Sequence, residues 1–442
     1  MDFEIGYSNR EVTAWGGMVF LRQMLDRLEF RKMVESQADL PSPGSNRGYD
    51  SATILEGFMA SIWCGANRFM HTEITRHDPT LGQIFGWKRT PAQDTYKRFF
   101  GKFTLAGQQR VSQHFYKWIF EQVQFDNFTL DCDSTVLTRY GSQQEGSRKG
   151  YNPAKPGRLS HHPLMAFERK EKMVANLWLR SGDTGASSSF LPFLEDTLAK
   201  LEGKKVSLIR LDSGFCSGEI FDHLESKSRP LNYIVAARFH RPLQQEIGTQ
   251  HNWLRLDEGI EIAETRYQSA NWKNERRLIV VRQHITSRPA APGKSLRLFK
   301  DQEPYQDYRY TAYFTNLTLA PAEIWRLYRG RADAENRIKE LKADFGLDSF
   351  NLKHFQGTEA ALTVAMMAYN LMALFRQFII NSKTQHTLST LRFKTLAIGA
   401  YFEKVDNTII LKLALNLKRR EWFDGLWSRV VKTTTPFQKS IA

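Results

Sequence analysis

Apolar positions recur at helical spacing through the first 125 residues. Phe20, Leu21, Met24, Leu25 and Leu28 share one face of a predicted helix, and the Pro-, Gly- and Ser-rich stretch at 40–48 reads as a linker to the next helical group. Thr90 before Pro91 predicts a helix start, with threonine as N-cap and proline in the first turn. The helix opened there carries Lys97, Arg98 and Lys102. With an earlier helix ending near Gly86 it would form a helix-turn-helix, although two core helices with a solvated basic face fit the same pattern.

From residue 128 the period changes to two. Strands are predicted at 128–136, 163–167, 173–179, 206–212 and 233–237, with helices at 190–201 and 219–224 between the later ones. Three strands followed by alternating helix and strand is the order of a ribonuclease H-like α/β domain, a mixed sheet flanked by helices. Residues 238–316 read as almost purely β: Ile260 and Ile262 alternate with glutamates, 278–281 is a compact apolar run, and 308–314 closes the segment. Helices resume at Pro321 and dominate the remainder, with a basic tail from Lys412.

Composition narrows the function. Lys and Arg number 62 against 47 Asp and Glu, a net charge of +15, which suits a polyanion, whether nucleic acid or an anionic membrane face. A hydrophobic content of 41% with 12% aromatics excludes a disordered chain. Cys64, Cys132 and Cys216 are sparse, odd in number and without CxxC spacing, which excludes a disulfide framework and a zinc site. The first ten residues lack the basic and apolar regions of a signal peptide. The apolar stretch at 360–375 is interrupted by Thr363, Tyr369 and Asn370 and closed by Arg376, so it reads as a core helix and not a span. A cytoplasmic protein with no membrane partner is expected.

Three places carry candidate chemistry. Asp131 and Asp133, two apart on a strand, point to one face. Asp212 ends the fourth strand, where Ser213 and Gly214 turn the chain; in this order of elements strands one and four are neighbours, so the carboxylates can converge. Facing carboxylates repel unless a cation lies between them, and a divalent metal suits that place; an aspartate at a strand end is also an ordinary turn residue. The third place is the charge-rich helix at 325–342. There Tyr328, Arg331, Glu335 and Lys342 are spaced by three, four and seven, on one helical face, as they would also be on a salt-bridged surface helix.

Tyr328-x-x-Arg331-x-x-x-Glu335, with Lys342 after six more residues, resembles the Tyr-Arg-Glu-Lys signature of bacterial insertion-sequence transposases with a DDE triad. Asp133-Ser-Thr resembles the first-aspartate motif of that family and Asp212-Ser-Gly-Phe the second, and the β insertion before the glutamate matches the branch with this signature. The resemblance spans residues 126 to 380. It implies that Asp133, Asp212 and Glu335 hold two divalent ions, Mg²⁺ or Mn²⁺, for in-line attack at phosphorus, first by water and then by a freed 3′-hydroxyl. It implies that Tyr328, Arg331 and Lys342 hold phosphates at the transposon end. Asp133, directly before the Ser-Thr pair, is taken as the ligand, with Asp131 beside it.

Members of the branch often pass through a hairpinned end with a base stacked on tryptophan. Trp253 and Trp272 are the candidates, Trp272 preferred because Arg276 and Arg277 follow, though either can cap the β core. Arg148, Lys149, Lys155 and Arg158, among Gly, Pro and Tyr in the loop between strands one and two, suit a loop that tracks a DNA backbone; a solvated hairpin loop has the same composition. His161 and His162 form no recognisable metal spacing.

The expected organisation is a helical DNA-binding region (1–125), the first part of the core (126–238), the β-rich insertion (239–317), the second part of the core with the glutamate helix (318–382) and a helical basic C-terminal region (383–442). The expected function is a transposase acting on double-stranded DNA. It would bind terminal inverted repeats, excise the element and join it to target DNA as a homodimer, in the bacterial cytoplasm and at the nucleoid. A transposase-derived DNA-binding protein without catalysis, or a metal-dependent nuclease of the same fold, are the other readings.

Overall fold

The computed structural model describes residues 3–45, 47–226, 230–285, 307–382 and 384–438. The chain divides into two units, one of Met1–Gln124, Gln143–Glu145 and Lys339–Ala442, the other of Phe125–Ser142 and Gly146–Ile338.

The second unit is built on a nine-stranded sheet. In chain order its strands are β1 (Phe128–Ser134), β2 (Leu164–Glu168), β3 (Met173–Trp178), β4 (Val206–Leu211), β5 (Tyr233–Ala236), β6 (Leu254–Asp257), β7 (Ile260–Tyr267), β8 (Arg276–His284) and β9 (Tyr308–Thr315). They lie side by side as β3-β2-β1-β4-β5-β9-β8-β7-β6. β1 is antiparallel to β2 and parallel to β4, and β4 is parallel to β5. The five expected core strands are therefore present in the ribonuclease H-like order. β9 returns antiparallel to β5, so the insertion extends this sheet.

The insertion is not purely β. A helix, α3 (Arg241–Gly248), precedes its strands; α1 (Phe190–Lys200) and α2 (Gly218–Leu224) come earlier in the chain. The α3 start is encoded locally. His240 accepts a hydrogen bond from Leu243 N–H through its side chain, Pro242 sits in the first turn, and Leu243 and Ile247 bury one face. Residues 286–306, inside the segment expected to be β, lie outside the described residues.

Strand alternation gives the sheet two apolar faces. Leu208, Ile234, Ile262, Ile279, Val281 and Tyr313 pack with Ile324 of α4 (Pro321–Arg329). On the other face Phe221 of α2 stacks on Tyr233 at 5.3 Å and meets Phe314 at 5.6 Å. Burying each such side chain contributes about 1.5–3 kcal/mol. By the same alternation, Asp131, Asp133, Arg210 and Asp212 belong to the face that α4 covers.

The first unit is mainly helical. The helix Met18–Arg27 buries Phe20, Leu21, Met24 and Leu25 as expected, and Phe20 lies 5.5 Å from Phe423 of the helix Leu417–Lys432. The apolar stretch at 360–375 lies in the helix Phe355–Leu374. It continues to Ile380 and is long and apolar enough to cross a membrane, but 89% of its most apolar window is buried in the fold. Trp63 Nε1–H donates to Ala368 O at 3.1 Å and Gln108 to Thr363 at 2.7 Å.

Two expectations in this unit are corrected. Thr90 does not cap a helix; the helix runs Gln93–Phe100, because Glu73 Oε1 accepts the Gln93 N–H at 2.8 Å and so satisfies the first free donor from another helix. The preceding helix does end at Gly86, in the left-handed region at φ 71°. The C-terminal region, expected to be helical, also carries an antiparallel ribbon of Ala400–Val405 and Thr408–Leu413. Asp406, at φ 53°, turns it between two runs of strand formers.

Candidate active site

Asp133 lies on β1, and Asp212 follows the last residue of β4. Glu335 stands in the first turn of α5 (Ala332–Asp344) with its side chain 58% exposed. The two aspartates are locally braced: Asp133 Oδ1 accepts Ser134 N–H at 2.8 Å, and Asp212 Oδ1 accepts Gly214 N–H at 2.9 Å. The second turn needs glycine, since a Cβ on Gly214 would stand 2.8 Å from Ala186 and 3.0 Å from that same carboxylate oxygen.

Arg331 joins the set. Its Nη2 lies 2.7 Å from Asp133 Oδ2 and its Nη1 3.5 Å from Glu335 Oε1. Burial pushes the Asp133 carboxyl up to about 6; Arg331 opposes the shift, and Asp212 and Glu335 add to it. Both other carboxylates thus act on Asp133. Burial works against the Arg331 charge, yet Asp133, Tyr328, Asp212 and Asp131 more than offset it and raise its pKa. The 2.7 Å approach to Asp133 lies off the hydrogen-bond line: Arg331 Nε and Nη2 are buried without a hydrogen-bond acceptor among the described residues.

The single helix expected at 325–342 is two helices, α4 and α5, and Arg331 sits in the turn between them. The cause is Arg210. Its guanidinium pairs Asp131 through two hydrogen bonds of 2.6 Å, with both side chains fully buried, and Nη1 donates to Leu327 O. The Leu327 carbonyl is the acceptor that Arg331 N–H would take in a continuing helix; Arg331 N–H bonds Tyr328 O at 2.9 Å instead. Gly330 allows the crossing, for a Cβ there would stand 2.7 Å from both Arg169 Nη2 and Arg210 Nη1. Asp131 is thereby accounted for as the anchor of Arg210. Its signal was readable: an arginine inside an apolar strand, two residues before Asp212 and on the same face.

Of the other residues singled out, Tyr328 is half-buried, its hydroxyl donating to Leu211 O at 3.2 Å, and burial pushes its pKa up. Lys342 lies on α5 about two turns past Glu335, half-buried, with burial lowering its pKa. Arg148, Lys149, Lys155 and Arg158 are all exposed, but Arg148 and Lys149, expected in a loop, form a short strand antiparallel to Leu159 and Ser160, whose backbone groups pair with theirs; Arg158 lies 6.0 Å from the ring of Tyr140, itself 74% exposed. Lys97 and Arg98 sit on the first unit's helix Gln93–Phe100, Lys97 bonded to Gln93 at 3.1 Å.

Trp272 packs edge-on to Phe314 and Phe221 at 4.9 and 5.1 Å. Arg276 is paired with Asp222 and Glu225, and Arg277 with Glu264, so the arginines that drew attention to Trp272 are committed within the protein. Trp253 stacks under Arg282 at 4.1 Å. His162 Nδ1–H donates to Thr184 O at 2.8 Å. Arg180 is buried; it donates to the carbonyls of His162, Gly185 and Ser188. It thereby holds the loop whose Ala186 packs on the Asp212 turn.

The donor chemistry at this site is carboxylate oxygen, which suits a hard divalent cation, and the repulsion of Asp133 by Asp212 and Glu335 calls for positive charge beside it. Among the described residues, no group of three or more His, Cys, Asp or Glu side chains is placed to hold a metal ion. A mixed sheet in this strand order, with acids at the ends of β1 and β4 and a glutamate on a later helix, defines a ribonuclease H-like domain of the DDE class. The chain belongs to the family described as transposase DDE domain group 1, whose model matches residues 4–435. It is a DNA transposase. No curated protein matches its sequence. Among solved structures it is similar to the piggyBac transposase in a cryo-EM synaptic complex with hairpin DNA, at a TM-score of 0.47 and 10% identity over 98% of this chain and 90% of that one.

Proposed function

We propose that this transposase serves a bacterial insertion element of the branch with the Tyr-Arg-Glu-Lys signature, and that Asp133, Asp212 and Glu335 are its catalytic triad. The observation that carries the reading is that one guanidinium, Arg331, contacts both Asp133 and Glu335, with Asp212 near enough to act on Asp133. Asp133 and Asp212 would hold divalent ions from the sheet side and Glu335 from the exposed side. When bound, Mg²⁺ or Mn²⁺ supplies a Lewis acid for the phosphoryl oxygens and lowers the pKa of an attacking water. Arg331 and Lys342 would bind phosphate oxygens at the transposon end. The Tyr328 hydroxyl, tied to Leu211 O, would orient the turn that carries Arg331.

The exposed strand with Arg148 and Lys149 and the following loop with Lys155 and Arg158 would follow the DNA backbone, as would Lys97 and Arg98 in the first unit. Trp272 would support a base near the cleaved end only after leaving its aromatic neighbours. Terminal inverted repeats and target DNA are the substrates, and pairing two ends calls for a homodimer on DNA, acting in the cytoplasm at the nucleoid.

Labelled duplex carrying the element's terminal repeats, incubated with Mg²⁺ and either wild type or Glu335→Gln, tests the reading. Cleavage at the repeat end followed by strand-transfer products is expected for wild type. The variant should bind equally and cut at least about 10³-fold more slowly. Cleavage by Glu335→Gln at the wild-type rate would remove Glu335 from the triad.

A further inference from the structure

The positive charge beside the carboxylates already has an owner in this chain. We propose that Arg331 is an exchangeable counter-cation: it occupies the carboxylate site of the DNA-free protein, and divalent metal loads tightly only after a DNA phosphate draws the guanidinium away. This rests on the triad reading of Asp133, Asp212 and Glu335.

Three observations carry it. First, Arg331 contacts two of the three acids at once, at 2.7 and 3.5 Å, with its own side chain 7% exposed. A divalent ion on the same oxygens would stand within a few ångströms of a buried guanidinium, and two cations in a partly desolvated site repel strongly. The ion and Arg331 therefore compete for Asp133.

Second, the Arg331 contact with Asp133 satisfies charge but not hydrogen bonding. Among the described residues Nε and Nη2 are buried without an acceptor, although a well-matched arginine–carboxylate pair forms two parallel hydrogen bonds; Arg210 with Asp131 shows that geometry at 2.6 and 2.6 Å in the same sheet. A phosphate diester offers adjacent oxygens that match the unused fork, so it is a better hydrogen-bond partner for Arg331 than Asp133 is.

Third, no helical hydrogen-bond ladder among the described residues fixes Arg331 in place. It stands in the turn between α4 and α5, next to Gly330 and outside either helix. Glu335, its second carboxylate contact, is 58% exposed, which places the open side of the site where DNA would arrive. The consequence is ordered loading, with an enzyme that holds metal poorly until its substrate is seated.

Mn²⁺ binding to the full chain without DNA, followed by the electron paramagnetic resonance signal of the free ion, tests this without relying on activity. Arg331→Gln is expected to bind Mn²⁺ at least about tenfold more tightly than wild type, and Asp133→Asn added to it should abolish the gain. Equal affinity of wild type and Arg331→Gln would overturn the exchange. A gain that survives Asp133→Asn would instead count against the triad assignment. Should Arg331→Gln fail to fold by circular dichroism, wild type alone decides. A short duplex should tighten Mn²⁺ binding at least about tenfold relative to Asp133→Asn with the same duplex, and no tightening rejects the proposal.

Discussion

At Glu168 the carboxylate is fully buried at the end of β2 and accepts the backbone N–H groups of Glu171 and Lys170, yet burial outweighs both bonds and lifts its pKa to about 7. The folded state therefore holds this proton more tightly than the unfolded chain, whose glutamate titrates near 4.5. The stabilisation is fully present below pH 4.5 and is lost as pH rises through 7. Between pH 4.5 and 7.5 the unfolding free energy of wild type should fall relative to Glu168→Gln by on the order of 3 kcal/mol, read from urea melts at each pH. Parallel pH profiles for the two proteins would show that the site is better solvated than its burial implies. The acids proposed as catalytic belong to this scale too. Asp133 and Asp212 were legible because a carboxylate that interrupts an apolar strand is rare and strand parity says which way it points. Arg180 was not, because its role is to collect carbonyls from a loop that no periodicity describes.

Elements depend on partners distant in sequence. Arg210 draws the Leu327 carbonyl out of helical register, and so separates α4 from α5 and releases Arg331 from the helix. Arg210→Met should cost about 3–5 kcal/mol, measured by urea unfolding, because Asp131 is left as a buried unpaired charge. Adding Asp131→Leu should recover most of that loss, since an apolar pair replaces the ion pair. The double variant should still cleave poorly, because the Leu327 carbonyl is then free to accept Arg331 N–H and extend the helix. Wild-type cleavage by a stable double variant would show that the break does not position Arg331. The spacing of Tyr328, Arg331 and Glu335 suggested one face of one helix; periodicity reports which residues share a side but cannot reveal a carbonyl taken by another strand. The ribbon at 400–413 escaped for a related reason, since its strands border helical patterns and its turn is only Asp406 and Asn407.

For the whole molecule, charge is the property that reaches DNA. Arg148 and Lys149 on a short strand, and Lys155 and Arg158 in the loop after it, are exposed, and if each contacts a phosphate, replacing all four with alanine should reduce the slope of log Kd against log salt by about 3 to 4. Titrations of labelled duplex at several salt concentrations give the slope directly, and an unchanged slope takes this loop off the DNA. The core strands were determined by the sequence alone, and the two aspartates and the glutamate were readable in it as candidates, because strand alternation, turn residues and motif spacing are local and each is set by a few neighbouring side chains. Tertiary structure decided the rest. It joined the insertion to the core as one sheet, grouped the first 124 residues with the chain from Lys339 onward, bound Asp131 to Arg210, and set Arg331 among the acids. Those outcomes rest on pairings between residues some 80 to 200 positions apart, and such pairings are chosen by burial and by the need to satisfy every desolvated charge and hydrogen bond, which no local pattern records.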